Sequence, residues 1–131
     1  MFEHLTTKQW YLNTLPNAHL AIVPIEKLRD YSLNPESVEG RHKARVFLAA
    51  LGLRRGDAEW LQSAILVEVV NASCRPGPST SHGTKYVVDM RLSRDGKSAL
   101  VRTAWLIRLG QEASRLVTAF VLPSRAWQPK K

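Results

Sequence analysis

Lys85-Tyr86-Val87-Val88-Asp89-Met90-Arg91-Leu92-Ser93-Arg94-Asp95-Gly96-Lys97-Ser98-Ala99-Leu100-Val101-Arg102-Thr103-Ala104-Trp105-Leu106-Ile107-Arg108-Leu109 decides the fold. Two runs rich in β-branched and aromatic residues flank Asp95-Gly96, a pair suited to the positive φ angles of a two-residue hairpin turn. The pattern predicts a strand over 85–92, the turn, and a second strand over 99–109. With Asp95 and Gly96 as the loop, Tyr86 faces Trp105, Val88 faces Thr103 and Met90 faces Val101. On the opposite face Asp89 meets Arg102, Arg91 meets Leu100 and Lys85 meets Leu106, with Arg108 beyond them. One face is therefore core and the other cationic. A slip of one residue would bury Asp89 and Arg102, which their charge forbids.

After the hairpin, Gly110 to Ser114 turns the chain into a third strand over 115–122, which Pro123 ends. Pairing of this strand with its neighbour is expected to add Thr118 and Phe120 to the cationic face. Before the hairpin, residues 71–83 hold two prolines and two glycines and are expected to form a loop. The region 15–70 reads as helical. Pro24 starts a short helix to about Leu33, and Asn34-Pro35-Glu36 offers a cap, a first-turn proline and a carboxylate for a second. This second helix is expected to run to Leu51 and stop at Gly52. Asp57 is expected to cap a third, with Trp60, Leu61, Ala64 and Ile65 as its buried stripe. Residues 1–14 form an N-terminal arm and 123–131 a basic tail. The prediction is one α+β domain over 1–131, with N-terminal helices packed on a C-terminal antiparallel sheet of three or four strands.

The chain of 131 residues carries a formal charge of +8 and 44% hydrophobic residues. That hydrophobic content suits a folded domain, and the charge favours an anionic partner such as nucleic acid or an acidic protein. A single cysteine, Cys74, excludes an internal disulfide, and the four histidines lack ligand spacing, so neither a metal nor a cofactor is expected. No apolar run reaches the roughly 18 residues of a membrane span, and the N-terminus lacks a signal-peptide pattern. The expectation is a cytoplasmic protein without a membrane partner.

Gly40-Arg41-His42-Lys43-Ala44-Arg45 concentrates the chemistry. On the predicted helix Val46, Phe47, Ala50 and Leu51 make the apolar stripe, Lys43 falls inside it and His42 on its edge. Cations, a histidine and hydroxyls suit attack of a ribose 2′-hydroxyl on its neighbouring phosphate, which needs a base, an acid and a cation on the phosphorane. The imidazole of His42 would supply acid or base; Lys43, Arg102 and Lys85 would hold phosphate, and Thr118 would add a hydrogen bond. Arg41, Arg45, Lys85, Arg91 and Arg108 are candidate RNA contacts.

The motifs Leu15-Pro16-Asn17-Ala18, Leu33-Asn34-Pro35, Gly40-Arg41-His42-Lys43-Ala44, Tyr86-Val87-Val88-Asp89, Val101-Arg102-Thr103-Ala104-Trp105 and Leu116-Val117-Thr118, in this order over residues 15–122, resemble an uncharacterised bacterial domain family. That resemblance implies no activity. In layout the chain is remotely similar to the barnase–EndoU–colicin–RelE-like ribonuclease toxins, whose metal-free RNA site lies between a sheet face and the preceding helix. This second resemblance implies a site drawing on the helix cations, Arg102 and Thr118. The expected function is a metal-independent endoribonuclease of bacterial toxin type, with RNA as substrate and an acidic antitoxin or immunity protein as partner. Non-catalytic alternatives stand beside it: an RNA-binding or protein-interaction module, in which His42 is a surface residue, Lys43 and Arg45 a solvated face, and Arg102–Asp89 a structural pair. A third alternative is an enzyme acting on a small anionic metabolite in a closed pocket.

Overall fold

The computed structural model describes residues 14–123. The arm, all but Thr14, and the tail, all but Pro123, lie outside the described residues. A turn of 3-10 helix at Ala18–Leu20 leads to α1 (Ile25–Lys27), which continues as one wider turn over Leu28–Ser32. Then follow α2 (Arg41–Leu51), α3 (Ala58–Val69) and four strands: β1 (Cys74–Thr80), β2 (Gly83–Arg94), β3 (Lys97–Arg108) and β4 (Arg115–Val121). The strands form one antiparallel sheet in the order β1-β2-β3-β4, and the architecture is α+β.

The central hairpin adopts the expected register, from Lys85 opposite Leu106 to Arg94 opposite Lys97. Asp95 (φ 50°) and Gly96 (φ 83°) both take the positive φ that a two-residue turn of this hand needs. Val88, Met90, Val101, Thr103 and Trp105 are buried on one face, against the helices. Thr103 and Trp105 satisfy each other there: Trp105 Nε1 donates to Thr103 Oγ1 (2.7 Å), whose hydroxyl donates to the Val88 carbonyl (2.7 Å).

Two local expectations change. The stretch 71–83 is largely strand β1: Cys74, Arg75 and Pro76 pair with Val88, Val87 and Tyr86, and a bulge follows between Pro76 and Ser79. Prolines are tolerated here because β1 is an edge strand, where a missing N–H breaks no ladder on the outer side. The second helix begins at Arg41 instead of near Asn34. Asn34 Oδ1 accepts the N–H of Glu36 (3.0 Å) and Ser37 Oγ accepts that of Gly40 (3.0 Å), so the capping side chains close turns before the helix starts. Gly52 ends α2 at φ 69°, as its position implies. The stripe that packs on the sheet is centred on Ala44, Phe47 and Leu51, with Val46 41% exposed and Lys43 half-buried at the stripe's edge instead of inside it. In α3, Leu61 and Ile65 are buried as expected, with Ala58 and Val69 extending the stripe and Trp60 and Ala64 partly buried at its edge.

Candidate nucleic-acid interface

Because strand side chains alternate, the register fixes what the outer face of the sheet presents. β2 contributes Lys85, Val87, Asp89 and Arg91; β3 contributes Leu100, Arg102, Ala104, Leu106 and Arg108. Arg75 joins from β1, opposite Val87. On β4 a bulge at Val117 keeps Thr118 opposite Ala104, Phe120 opposite Arg102 and Arg115 opposite Leu106, all on this face. Among the described residues, six cations thus share a face with one carboxylate, Asp89. Lys85, Arg91, Arg108, Arg115 and Arg75 are exposed, and the apolar residues between them are half-buried.

Asp89 sits at the centre. Arg102 Nε donates to Asp89 Oδ1 (2.8 Å) and Arg102 Nη2 to Oδ2 (2.9 Å), a bidentate pair, with Arg75 Nη1 3.6 Å from Oδ2. These hydrogen bonds hold the Asp89 carboxyl below its ordinary range and raise the guanidinium of Arg102, outweighing the burial that opposes both shifts. Arg102 is therefore the cation on this face that Asp89 engages most closely, Arg75 shares that carboxylate at longer range, and Arg91 donates to the Ser98 hydroxyl (3.1 Å).

Phe120 connects this face to the helix layer. The Lys43 ammonium lies 5.8 Å from the centre of its ring, a cation–π contact. Lys43 stands between two adjoining hollows at the junction of α2 and β4. One, about 330 Å³, is lined by His42, Lys43, Val46, Phe120 and Val121. The other, about 250 Å³, is lined by Lys27, Tyr31, Glu39, Gly40, Lys43, Val117 and Thr118. Gly40 makes this junction possible, since a Cβ there would run into the backbone carbonyl of Tyr31.

Of the residues singled out in the sequence, His42, Lys43 and Thr118 line these two hollows, whereas Arg102 lines neither and is the cross-strand partner of Phe120. Lys85, Arg91 and Arg108 share the outer face with Arg102. Arg41 and Arg45 lie elsewhere, in a separate groove with Arg54 and Arg55. Four residues complete the picture without having been singled out. Arg75 was hidden by reading β1 as a loop, and Arg115 stands at the strand end. Glu39 precedes His42 by three residues but lies before the helix proper, and Phe120 shows its use only through Lys43. Among the described residues no group of three His, Cys, Asp or Glu side chains is placed to hold a metal ion.

The family model described as a domain of unknown function (DUF6883) matches residues 14–123. The chain belongs to this family. The DUF6883 match coincides with the described residues, so helices, sheet, cationic face and both hollows all fall within it. Comparison with curated proteins and with solved structures returns no match. No helix among the described residues of this DUF6883 domain is long and apolar enough to cross a membrane.

Proposed function

We propose that this protein is a metal-independent endoribonuclease of bacterial toxin type, acting in the cytoplasm on single-stranded RNA. The observation that carries the proposal is the adjacency of imidazole, ammonium, carboxylate and hydroxyl in the two hollows beside a face of six cations and one carboxylate. RNA would lie across the outer face, its phosphates near Lys85, Arg91, Arg108, Arg115 and Arg75, with a base stacked on Phe120. Lys43 and Thr118 would hold the scissile phosphate. One of His42 and Glu39 would take the 2′-hydroxyl proton as O2′ attacks phosphorus, and the other would protonate O5′ as the P–O5′ bond breaks. The products are a 2′,3′-cyclic phosphate and a free 5′-hydroxyl. Arg102, tied to Asp89, would brace the face behind Phe120 more than it would neutralise phosphate. An acidic protein is the expected neutralising partner of so basic a domain.

The test is incubation of labelled RNA with purified protein in excess chelator. Wild type cleaves and leaves cyclic ends; His42→Ala slows cleavage by about 10²- to 10⁴-fold while retaining fold and RNA affinity. His42 is exposed, so its truncation leaves no cavity. A second reading, a non-catalytic RNA-binding module, is favoured by the bidentate Arg102–Asp89 pair, which suits a structural strand contact. Equal inactivity of wild type and His42→Ala across several RNAs, with RNA binding intact, would leave that reading standing.

A further inference from the structure

The flank of α2 turned away from His42 carries a second basic feature that RNA cleavage does not use. A groove of about 460 Å³ runs between α2, the turns before it and the 3-10 turn Arg55–Asp57. Leu48 and Leu53 give it an aliphatic floor, Arg41, Arg45, Arg54 and Arg55 stand around it, and Glu36 is the single carboxylate among its described lining residues. Leu53 is buried, whereas Leu48 is 40% exposed, which leaves apolar surface open within a ring of charge. Arg55 is engaged, donating to Asp30 Oδ1 (2.9 Å) and to the Arg29 carbonyl (3.0 Å). Among the described residues, Arg41, Arg45 and Arg54 make no ion pair. Arg41 and Arg45 are moreover four apart on one helix face, a like-charge spacing that weakens an isolated helix.

We propose that this groove docks an acidic segment of a partner protein, with Leu, Ile or Val side chains seated on Leu48 and carboxylates forked by the guanidiniums. Charge complementarity selects this occupant. A second copy of a +8 chain would bring like charge to like. A single-stranded nucleic acid would want a ring to stack on, and no aromatic residue among the described residues lines the groove. Carboxylates suit planar guanidiniums, which bind them in pairs of parallel hydrogen bonds. The volume falls in the range of ordinary ligand sites. The proposal stands apart from RNA cleavage, because the groove and the α2–β4 hollows share no lining residue.

The test is selection of random 12-residue peptides displayed on phage against the full chain, followed by fluorescence polarisation with the enriched peptides. Peptides rich in Asp and Glu with interspersed Leu, Ile or Val are expected. Their affinity should fall at least tenfold in Arg41→Gln/Arg45→Gln and, separately, in Leu48→Lys. All three positions are exposed, and circular dichroism verifies that each variant remains folded. A single-stranded 2′-O-methyl RNA 15-mer, which cannot undergo 2′-hydroxyl attack, should lose less than threefold in the Arg41→Gln/Arg45→Gln variant. Failure to enrich such peptides, or peptide binding indifferent to both variants, overturns the proposal. So does an RNA affinity that falls as far as peptide affinity, which would assign the groove to nucleic acid. Cleavage assays do not enter the readout, so a failed nuclease reading leaves this result interpretable.

Discussion

Salt dependence tests the outer face directly, and its magnitude follows from the register. Six cations face outward, Arg75, Lys85, Arg91, Arg102, Arg108 and Arg115, and Asp89 offsets one of them through Arg102. Lys85 and Arg91 are six residues apart on β2, about 20 Å at the strand rise, a length that takes several nucleotides of an extended strand. If five phosphates are neutralised, the slope of log affinity against log salt on single strands is about −3.5. Raising salt from 50 to 200 mM should then weaken binding by about a hundredfold. Lys85→Ala/Arg91→Ala removes two exposed cations and should bring the slope to about −2.1 while the fold persists. The assay is fluorescence polarisation with a labelled 2′-O-methyl RNA 15-mer, which cannot undergo 2′-hydroxyl attack, so binding is measured whether or not the protein cleaves. A wild-type slope near zero refutes polyanion recognition. A double variant that weakens binding without changing the slope refutes the assignment of these two side chains to phosphates.

Two further outcomes concern stability. Asp30 is held at about 2 by hydrogen bonds from Arg29 and Arg55, and Asp89 is held low first by Arg102. A carboxyl depressed in the folded state stabilises above its unfolded pKa, near 4, and that contribution is lost as pH falls through the folded value. Urea midpoints should therefore decline below about pH 4, and Asp89→Asn should flatten that decline more than Asp30→Asn, because Asp30 is open to solvent. Equal acid limbs in wild type and Asp89→Asn would contradict this. Gly40→Ala should cost about 1–3 kcal/mol in urea unfolding, since the added methyl meets the Tyr31 backbone. An unchanged midpoint would mean that the start of α2 moves freely.

The hairpin was legible because every local rule agreed on it. Alternation, an Asp-Gly turn and the cost of burying Asp89 and Arg102 admit one register. The helix starts were less legible because Asn34, Ser37 and Asp57 offer the same hydrogen-bond chemistry to a turn as to a helix. Asp57 illustrates this: its carboxylate accepts the Arg54 N–H (2.8 Å) and the Arg94 guanidinium (3.2 Å), and caps no N–H of α3 itself. Edge strand β1 was illegible for a different reason. Pro76 and Pro78 argue against a strand wherever the ladder needs their N–H, and only knowledge that β2 has a free edge removes the objection. The site shows the same division. Lys43 stood out as a lysine near an apolar stripe, but its partner Phe120 lies 77 residues further along and no periodicity links them.

Val101-Arg102-Thr103-Ala104-Trp105 carries the relation between fold and face in five residues. Val101, Thr103 and Trp105 point into the core, and Arg102 and Ala104 point out. The inward threonine is polar, yet fully buried, because it both receives the indole N–H and donates to Val88; this locks the ring of Trp105 and ties β3 to β2. On the outside, Arg102 clamps Asp89 across the same pair of strands and stands beside Phe120 across the other. Both faces of the motif thus fasten β3 to its neighbours, and the neighbours carry the exposed cations Lys85, Arg91 and Arg115. A rigid, charged platform follows from alternation alone once Thr103 and Asp89 have satisfied the two side chains least suited to their positions. Phe120, carried on that platform beside Lys43, is where the sheet's outer face meets the chemistry of α2.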